Sequence, residues 1–353
     1  MMLKIRLFFF KLCNWEFWNA NFVYSIPSLY FLYLAFKAKS FGFFNASNPS
    51  IKNGGFAMER KMDIYDIIPK KYYPKSFFFE ANQNIKTIHA TLIDNKLNLP
   101  IIIKPNIGLQ GMKVEKIASL VELDTYLSSV NFDFIIQEYI DFKNEIGIFY
   151  CKNPADEAGI ITGIVFKEYP TIVGDGKSTI NDLIIKDLRL CIHLKFFQTI
   201  YSSKLNLVLN YGEILNLITI GNHARGCKFL DISDMITPKL IVSINKICNK
   251  IPNFYYGRID IKYNIFEELE NCENFSIIEI NGAASLPTHI YDPKHSLFFA
   301  WKEIIKHFNK MYEISKINYS MGVPYLTFKE VISLFSAHSN HISLLKNKTT
   351  MSL

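Results

Sequence analysis

Asp260, Glu279 and Asn281 are the residues whose types and spacing point most directly to chemistry. In Tyr256-Gly257-Arg258-Ile259-Asp260-Ile261-Lys262 charged and apolar residues alternate. An extended strand therefore puts Arg258, Asp260 and Lys262 on one face and packs Ile259 and Ile261 on the other. Phe275-Ser276-Ile277-Ile278-Glu279-Ile280-Asn281-Gly282 repeats the design and sets Glu279 beside Asn281. If the strands pair, two carboxylates and an amide oxygen converge next to an arginine. Such an oxygen-only set suits Mg²⁺, which takes one or two carboxylates and completes its shell with water and phosphate. A fixed cation beside it suits phosphoryl transfer, where charge develops on equatorial oxygens. The competing reading is a pair of amphipathic strands with solvated charges; apolar flanks on both sides of each charge weaken it.

Four other segments carry candidate groups. Ile101-Ile102-Ile103-Lys104-Pro105-Asn106-Ile107-Gly108-Leu109-Gln110-Gly111-Met112 is an apolar strand that delivers a lysine into a loop with glycines at 108 and 111. Glycines let backbone N–H groups approach phosphate, and the lysine adds a point charge; a plain hairpin turn is the alternative. Ile135-Ile136-Gln137-Glu138-Tyr139-Ile140, with Glu145 shortly after, reads as a strand, a connector and a new strand. Such a connector offers backbone groups to a base edge, and a following carboxylate can accept two ribose hydroxyls. Gly174-Asp175-Gly176-Lys177-Ser178-Thr179 lacks the glycine a P-loop needs, because position 171 is Thr171, so it reads as a turn into a helix with Asp182 completing a capping box. Gly221-Asn222-His223-Ala224-Arg225-Gly226 is either a surface turn or a carboxylate- or phosphate-binding loop through Arg225.

The elements that must hold these residues are strands and helices in two clusters. Strands are expected at Ser76 to Phe79, Pro100 to Ile103, Phe134 to Ile140, Glu145 to Cys151 (edge-like), Ile160 to Phe166, Tyr255 to Tyr263 and Phe275 to Ile280. The last two are joined by an acidic loop, Glu267 to Glu270. Helical spacing covers Lys116 to Val130, a stretch from about Thr179, Lys239 to Lys250 and Ser296 to Phe308. The final forty or so residues are weaker in pattern. The arrangement predicts an α+β architecture with two sheet-containing lobes and a ligand crevice between them. The expected division is an aromatic segment over 1–60, lobes over 61–140 and 141–310, and a tail over 311–353.

A chain of 353 residues, 49% hydrophobic, has enough apolar material for more than one core. Its net charge of +7 is spread along the sequence, which argues against a nucleic-acid surface. Six cysteines without a C-x-x-C pair give neither a metal spacing nor a disulfide framework, consistent with a cytoplasmic setting. Residues 17 to 36 are uncharged and Lys37 and Lys39 follow directly. Asn19, Asn21, Ser25, Pro27 and Ser28 interrupt the apolar run, which fits a helix lying on a membrane or one packed on the next lobe better than one spanning it. Peripheral membrane contact through residues 17–39 stays open on these grounds.

Taken in order, Lys104 with its glycine loop, the Gln137–Glu145 connector, and Arg258 and Asp260 with Glu279 and Asn281 resemble the ATP-grasp superfamily. Within it the chain is similar to the D-alanine–D-alanine ligase and cyanophycin-synthetase- or glutathione-synthetase-like branch of carboxylate–amine ligases. The resemblance covers about residues 60 to 310; residues 1–60 show none of the βαβ alternation that opens D-alanine–D-alanine ligases. It implies that ATP is bound by Lys61 and Lys104, with Gly108 to Met112, glycines 108 and 111 included, as a lid. Glu138 and Tyr139 would frame the adenine and Glu145 the ribose. Asp260, Glu279 and Asn281 would hold two Mg²⁺ ions (or Mn²⁺), and Arg258 would stabilise the acyl-phosphate and tetrahedral intermediates. Asn222, His223 and Arg225 would border the acceptor, and small-molecule carboxylate and amine substrates would be joined. A phosphotransferase on the same scaffold, and a nucleotide-binding protein at a membrane surface without turnover, are the alternative functions.

Overall fold

The computed structural model describes residues 2–108 and 111–346. Two antiparallel sheets organise it. The smaller contains β1 (Ser76–Phe79), β2 (Ile101–Pro105), β3 (Glu115–Ile117) and β4 (Phe134–Glu138), in the order β1-β4-β2-β3. The larger is built from β5 (Asn144–Cys151), β6 (Ile160–Glu168), β9 (Lys228–Asp231), β10 (Tyr256–Tyr263) and β11 (Phe275–Asn281), in the order β11-β10-β5-β6-β9. A separate two-stranded ladder pairs β7 (Thr171–Val173) with β8 (Ile214–Asn216). The class is therefore α+β with two sheet-containing lobes, as expected.

Each sheet buries one face against helices whose apolar residues recur at helical spacing. In the smaller lobe, Ile88 and Leu92 of helix Ile85–Asp94 and Leu123 and Leu127 of helix Leu120–Ser129 cover Ile101, Ile103, Phe134 and Ile136. In the larger lobe, Leu240, Ile244 and Ile247 of helix Pro238–Cys248 cover Ile148, Ile259, Ile261 and Ile277. Thr237 caps that helix, and Pro238 occupies its first turn, where a missing N–H costs nothing. The expected box at Thr179 is formed with Asp182.

Several expectations are corrected. The strand at Glu145–Cys151 is interior, not an edge: β5 lies between β10 and β6. Its residues are buried on both faces, Ile146, Ile148 and Tyr150 on one and Phe149 and Cys151 on the other, which an edge with a solvated side does not show. Lys116 and Ile117 belong to β3, and the helix begins only after Ser119, whose side chain caps it. Glu267–Glu270 is a helical turn, Phe266–Glu270, anchored by buried Leu269. The closing helix runs from Leu297 to Ser320, well past Phe308, because Met311 and Ile314 continue its buried stripe. The weakly patterned C-terminal stretch forms helix Phe328–Lys346, with Leu345 buried in the core of the smaller lobe. At the other end, α1 (Met2–Cys13), α2 (Ala20–Val23) and α3 (Ser25–Ala38) replace a single apolar helix. Among the described residues no helix is long and apolar enough to cross a membrane.

The turn-rich stretch Asn48 to Gly55 is a fastener between layers. The Asn48 side chain is fully buried and makes four hydrogen bonds. Its amide donates to the carbonyls of Gly54 and Tyr256 at 3.0 and 2.8 Å, and its oxygen accepts from the N–H groups of Tyr255 and Tyr256, both at 2.9 Å. The loop so pinned lies flush on the segment after β11: Ala283 and Ala284 donate to the carbonyls of Gly54 and Gly55. A Cβ on Gly55 would stand 2.7 Å from the Gly282 Cα, so neither partner tolerates a side chain. Asn48→Ala strands four buried backbone groups, and we expect a loss of about 2–4 kcal/mol, measured by urea unfolding. A loss below about 0.5 kcal/mol would show that the loop is held by other contacts.

Candidate active site

A β-bulge brings the charged residues together. From Tyr263 opposite Phe275 the β10–β11 register runs evenly to Ile261 opposite Ile277, then shifts, so that Asp260 faces Glu279 and Arg258 faces Asn281. Ile278 is the extra residue. An unshifted register would place Glu279 opposite Ile259, on the face that packs against helix Pro238–Cys248. The bulge also frees the Ile278 carbonyl, which accepts from the Tyr65 hydroxyl at 2.5 Å and from Lys104 Nζ at 3.3 Å.

These residues line one wall of a cleft of about 620 Å³; the smaller sheet lines the other with Ile102, Lys104 and Gln137. Four cations converge on three carboxylates there. Arg258 donates to Asp260 through Nε at 2.7 Å and Nη2 at 3.1 Å, and Lys167 donates to Asp260 at 3.2 Å and to Glu145 at 2.6 Å. Lys61 pairs with Glu279. Lys104, almost fully buried, donates to the Tyr65 hydroxyl at 2.7 Å and to Gln137 Oε1 at 2.8 Å, but has no carboxylate partner. Gly147 makes room for the pair on β10: a Cβ there would come within 3.0 Å of the Arg258 side chain and the Asp260 carboxylate.

Charge and burial act in opposition across this cluster. Burial pushes the Glu279 carboxyl up, but Lys61, Lys104 and Arg258 outweigh it and hold the group at about 2. Lys167 and Arg258 lose solvation yet are raised overall by the carboxylates they touch. Lys104 goes the other way: burial, with the positive charge of Lys61 nearby, brings it down to about 7. Burial also raises the carboxyl of Glu59, which lines the same cleft.

The oxygen chemistry of Asp260, Glu279 and Asn281 fits a hard divalent cation, and the register sets the three side by side. No group of three His, Cys, Asp or Glu side chains with metal-holding geometry occurs among the described residues, so the amide is a necessary member of the set. Four buried side-chain atoms without a hydrogen-bond partner lie on residues of this one cleft: Glu59 Oε2, Asn281 Nδ2, Thr288 Oγ1 and His338 Nδ1. Buried polar groups are normally satisfied, so their concentration here marks a site built for a polar ligand.

The other expected residues fall as follows. Gly108 and Gly111 border the cleft, whereas Leu109 and Gln110 of the expected lid lie outside the described residues. Glu138 and Tyr139 line it too, the Tyr139 ring lying beneath Lys116 at 3.7 Å. Glu145 also binds the Tyr169 hydroxyl, so its carboxylate already has two partners. Asn222 and His223 line it as well, Asn222 against Gly111, and His223 Nε2 contacts the buried carboxylate of Glu16 at 2.7 Å. The Arg225 guanidinium donates to the Gly111 carbonyl at 2.8 Å, tying this turn to the glycine loop.

Lys167, Tyr65, Glu59 and His338 were missed. Lys167 sits at the end of a strand whose neighbours gave no sign that its row meets Glu145. His338 lies on a helix from the far end of the chain, held over the cleft by His341, whose Nε2 donates to the Ile107 carbonyl at 2.8 Å. Trp15, Glu16 and Tyr24, from the N-terminal helices, wall the end of the cleft near His223. Glu16 pairs there with Arg189 as well, and the Tyr24 hydroxyl meets that of Tyr291.

No protein-family model matches this chain, and no curated protein does. Among solved structures it is similar to a bifunctional glutathione synthetase from Pasteurella multocida, at 12% identity and a TM-score of 0.39 over 70% of this chain and 35% of that one. It is similar also to the VanG D-Ala:D-Ser ligase from Enterococcus faecalis, at 14% and 0.42 over 74% and 64%. A third is the D-alanine–D-alanine ligase from Bacillus anthracis complexed with ATP, at 14% and 0.43 over 74% and 68%. The chain thus spans about a third of the length of the first.

The lowered Lys104 yields a test. A polyphosphate anion favours the protonated amine, so its affinity should fall as pH rises above about 7, and binding above that pH should take up a proton. Calorimetry with ATP at about pH 8, in two buffers of different ionisation enthalpy, should show uptake approaching one proton. Lys104→Met should abolish it; equal uptake by the variant would assign the proton elsewhere.

Proposed function

We propose that this chain is an ATP-dependent carboxylate–amine ligase of the ATP-grasp type. One observation carries the reading: a cleft between two sheets in which Lys61, Lys104, Lys167 and Arg258 surround Asp260 and Glu279, with Asn281 beside them. Cations alone would suit any anion. Cations interleaved with an oxygen-only ligand set suit a nucleotide triphosphate carried with a divalent metal.

On this reading the smaller sheet and the connector at Glu138 and Tyr139 receive the base, and Glu145 receives the ribose. Lys61, Lys104 and Lys167 take the phosphates. Asp260, Glu279 and Asn281 would hold Mg²⁺, and one ion is the minimum that two carboxylates and an amide oxygen support. When bound, the metal draws charge from the phosphoryl group that is transferred. Lys61 would leave Glu279 for phosphate, and the freed Glu279 carboxylate would be available to hold the metal, so neither member of that ion pair would be left buried alone. A substrate carboxylate oxygen attacks the γ-phosphorus, the bond from phosphorus to the bridging oxygen breaks, and ADP leaves. Arg258 steadies the charge on the resulting acyl phosphate. An amine then attacks the acyl carbon, phosphate departs and a proton is released, leaving an amide. The acceptor end near Asn222 and His223 is walled by Trp15 and Tyr24, which exclude water from the acyl phosphate.

With Mg²⁺, ATP and a panel of amino acids and short acidic peptides, we expect ADP release that depends on one carboxylate. Hydroxylamine should convert the intermediate to a hydroxamate. Asp260→Ala and Glu279→Ala should each lower turnover at least about 100-fold. A stable phosphoester in place of a hydroxamate would establish a phosphotransferase, and unchanged turnover in both variants would remove the metal assignment.

A further inference from the structure

We propose that the outer face of α1 to α3 seats this protein on an anionic membrane surface. The inner side of the segment is accounted for: Trp15 stacks on Tyr291 and donates to the His295 carbonyl, and Leu34 and Ala35 pack under helix Leu297–Ser320. The outer side is apolar and uncovered. On α3 the exposed residues Ile26, Leu29, Tyr33 and Phe36 recur at helical spacing, opposite buried Val23, Pro27 and Leu34, so the helix is apolar on both faces. On α1, Ile5, Phe8, Phe9 and Leu12 form a second exposed stripe, and none of its residues is buried. The patch continues onto helix Leu297–Ser320, where Phe298 and Trp301 join Trp18 and Phe22 around a groove of about 410 Å³; Phe298 is 75% exposed. Monomeric proteins rarely leave so much contiguous apolar surface in water.

Charge selects the occupant. Between residues 2 and 58 the only acidic side chain is Glu16, and its carboxylate is turned inward to Arg189 and His223. Lys4, Arg6, Lys11, Lys37, Lys39 and Lys52 are exposed, so the outward-facing charges that this segment itself contributes are all positive. An apolar stripe edged by lysine and arginine fits acyl chains below and anionic head groups beside them. At 14 residues α3 is about 21 Å long, too short for a hydrocarbon core of about 30 Å, so it lies in the interface.

The full chain, without nucleotide, should float with vesicles of phosphatidylcholine containing about one-third phosphatidylglycerol, and far less with phosphatidylcholine alone or in high salt. Leu29→Glu with Phe36→Glu should cut the bound fraction at least about tenfold, and so should Lys4→Glu with Lys39→Glu, both at exposed positions. Val242→Glu, at an exposed apolar position on another helix, should have no effect. Three results would overturn the proposal: no flotation of the wild type at low salt, flotation indifferent to both double variants, or lipid-free self-association that Leu29→Glu with Phe36→Glu abolishes. None of them bears on the ligase reading, because no nucleotide is present.

Discussion

The extra residue at Ile278 is the constraint on which the cleft depends. β10 and β11 begin their pairing with apolar residues of both strands on the face covered by helix Pro238–Cys248. Side chains alternate with a period of two, so that face would be kept to the end of the ladder without an interruption. One bulged residue reverses the parity of β11 alone. Phe275 and Ile277 stay in the core while Glu279 and Asn281 cross to the side of Asp260 and Arg258. The same step releases a carbonyl that Tyr65 and Lys104 use, which links the smaller lobe to the larger at the point where their charges meet.

The charges then hold one another. Asp260, Glu145 and Glu279 each have a cationic partner, and Lys104 is the one cation of the four without a carboxylate partner. It meets the cost of burial by giving up its proton readily. Ion pairs in such a place are weak contributors to stability but costly to break singly. A ligand that brings both negative charge and a cation can exchange partners with the cluster instead of stripping it, and this is what a metal–nucleotide complex offers.

Much of this was legible in the sequence. The alternation in Arg258, Asp260 and Lys262 is local, and β10 forms as read. Most strands of both sheets fall close to their expected places because apolar runs and turn residues bound them, but β3 was read as the start of a helix and β9 was not read as a strand. The bulge was visible only as a tension: Phe275, Ile277, Glu279 and Asn281 share one parity, yet two belong in a core and two do not. Reading the stretch as one even strand passes over that conflict. Lys167 and His338 were invisible for a different reason. Their roles come from strand order and from a helix whose His341 lies 234 residues beyond the Ile107 it touches, which local spacing does not encode.

The N-terminal segment divides its residues between a packed side and an exposed apolar side. Its one acidic residue, Glu16, is turned inward, where Arg189 and His223 fix it at the end of the cleft. That choice leaves the outer side with no negative charge, so the residues that close the site and the residues that face outward are set by one allocation. A helix apolar on both faces would be unstable alone in water; here one face is covered by Leu34 and Ala35 packing, and the other is left for a second environment. The short length of α3 and its break from α2 at Tyr24 keep that environment at the surface, because a continuous helix through Phe17 to Ala38 would have had the reach to span it. The break at Tyr24 also lets its hydroxyl turn to Tyr291 beside the cleft. The same kink completes the wall of the site and, on the membrane proposal, would hold the segment in the interface.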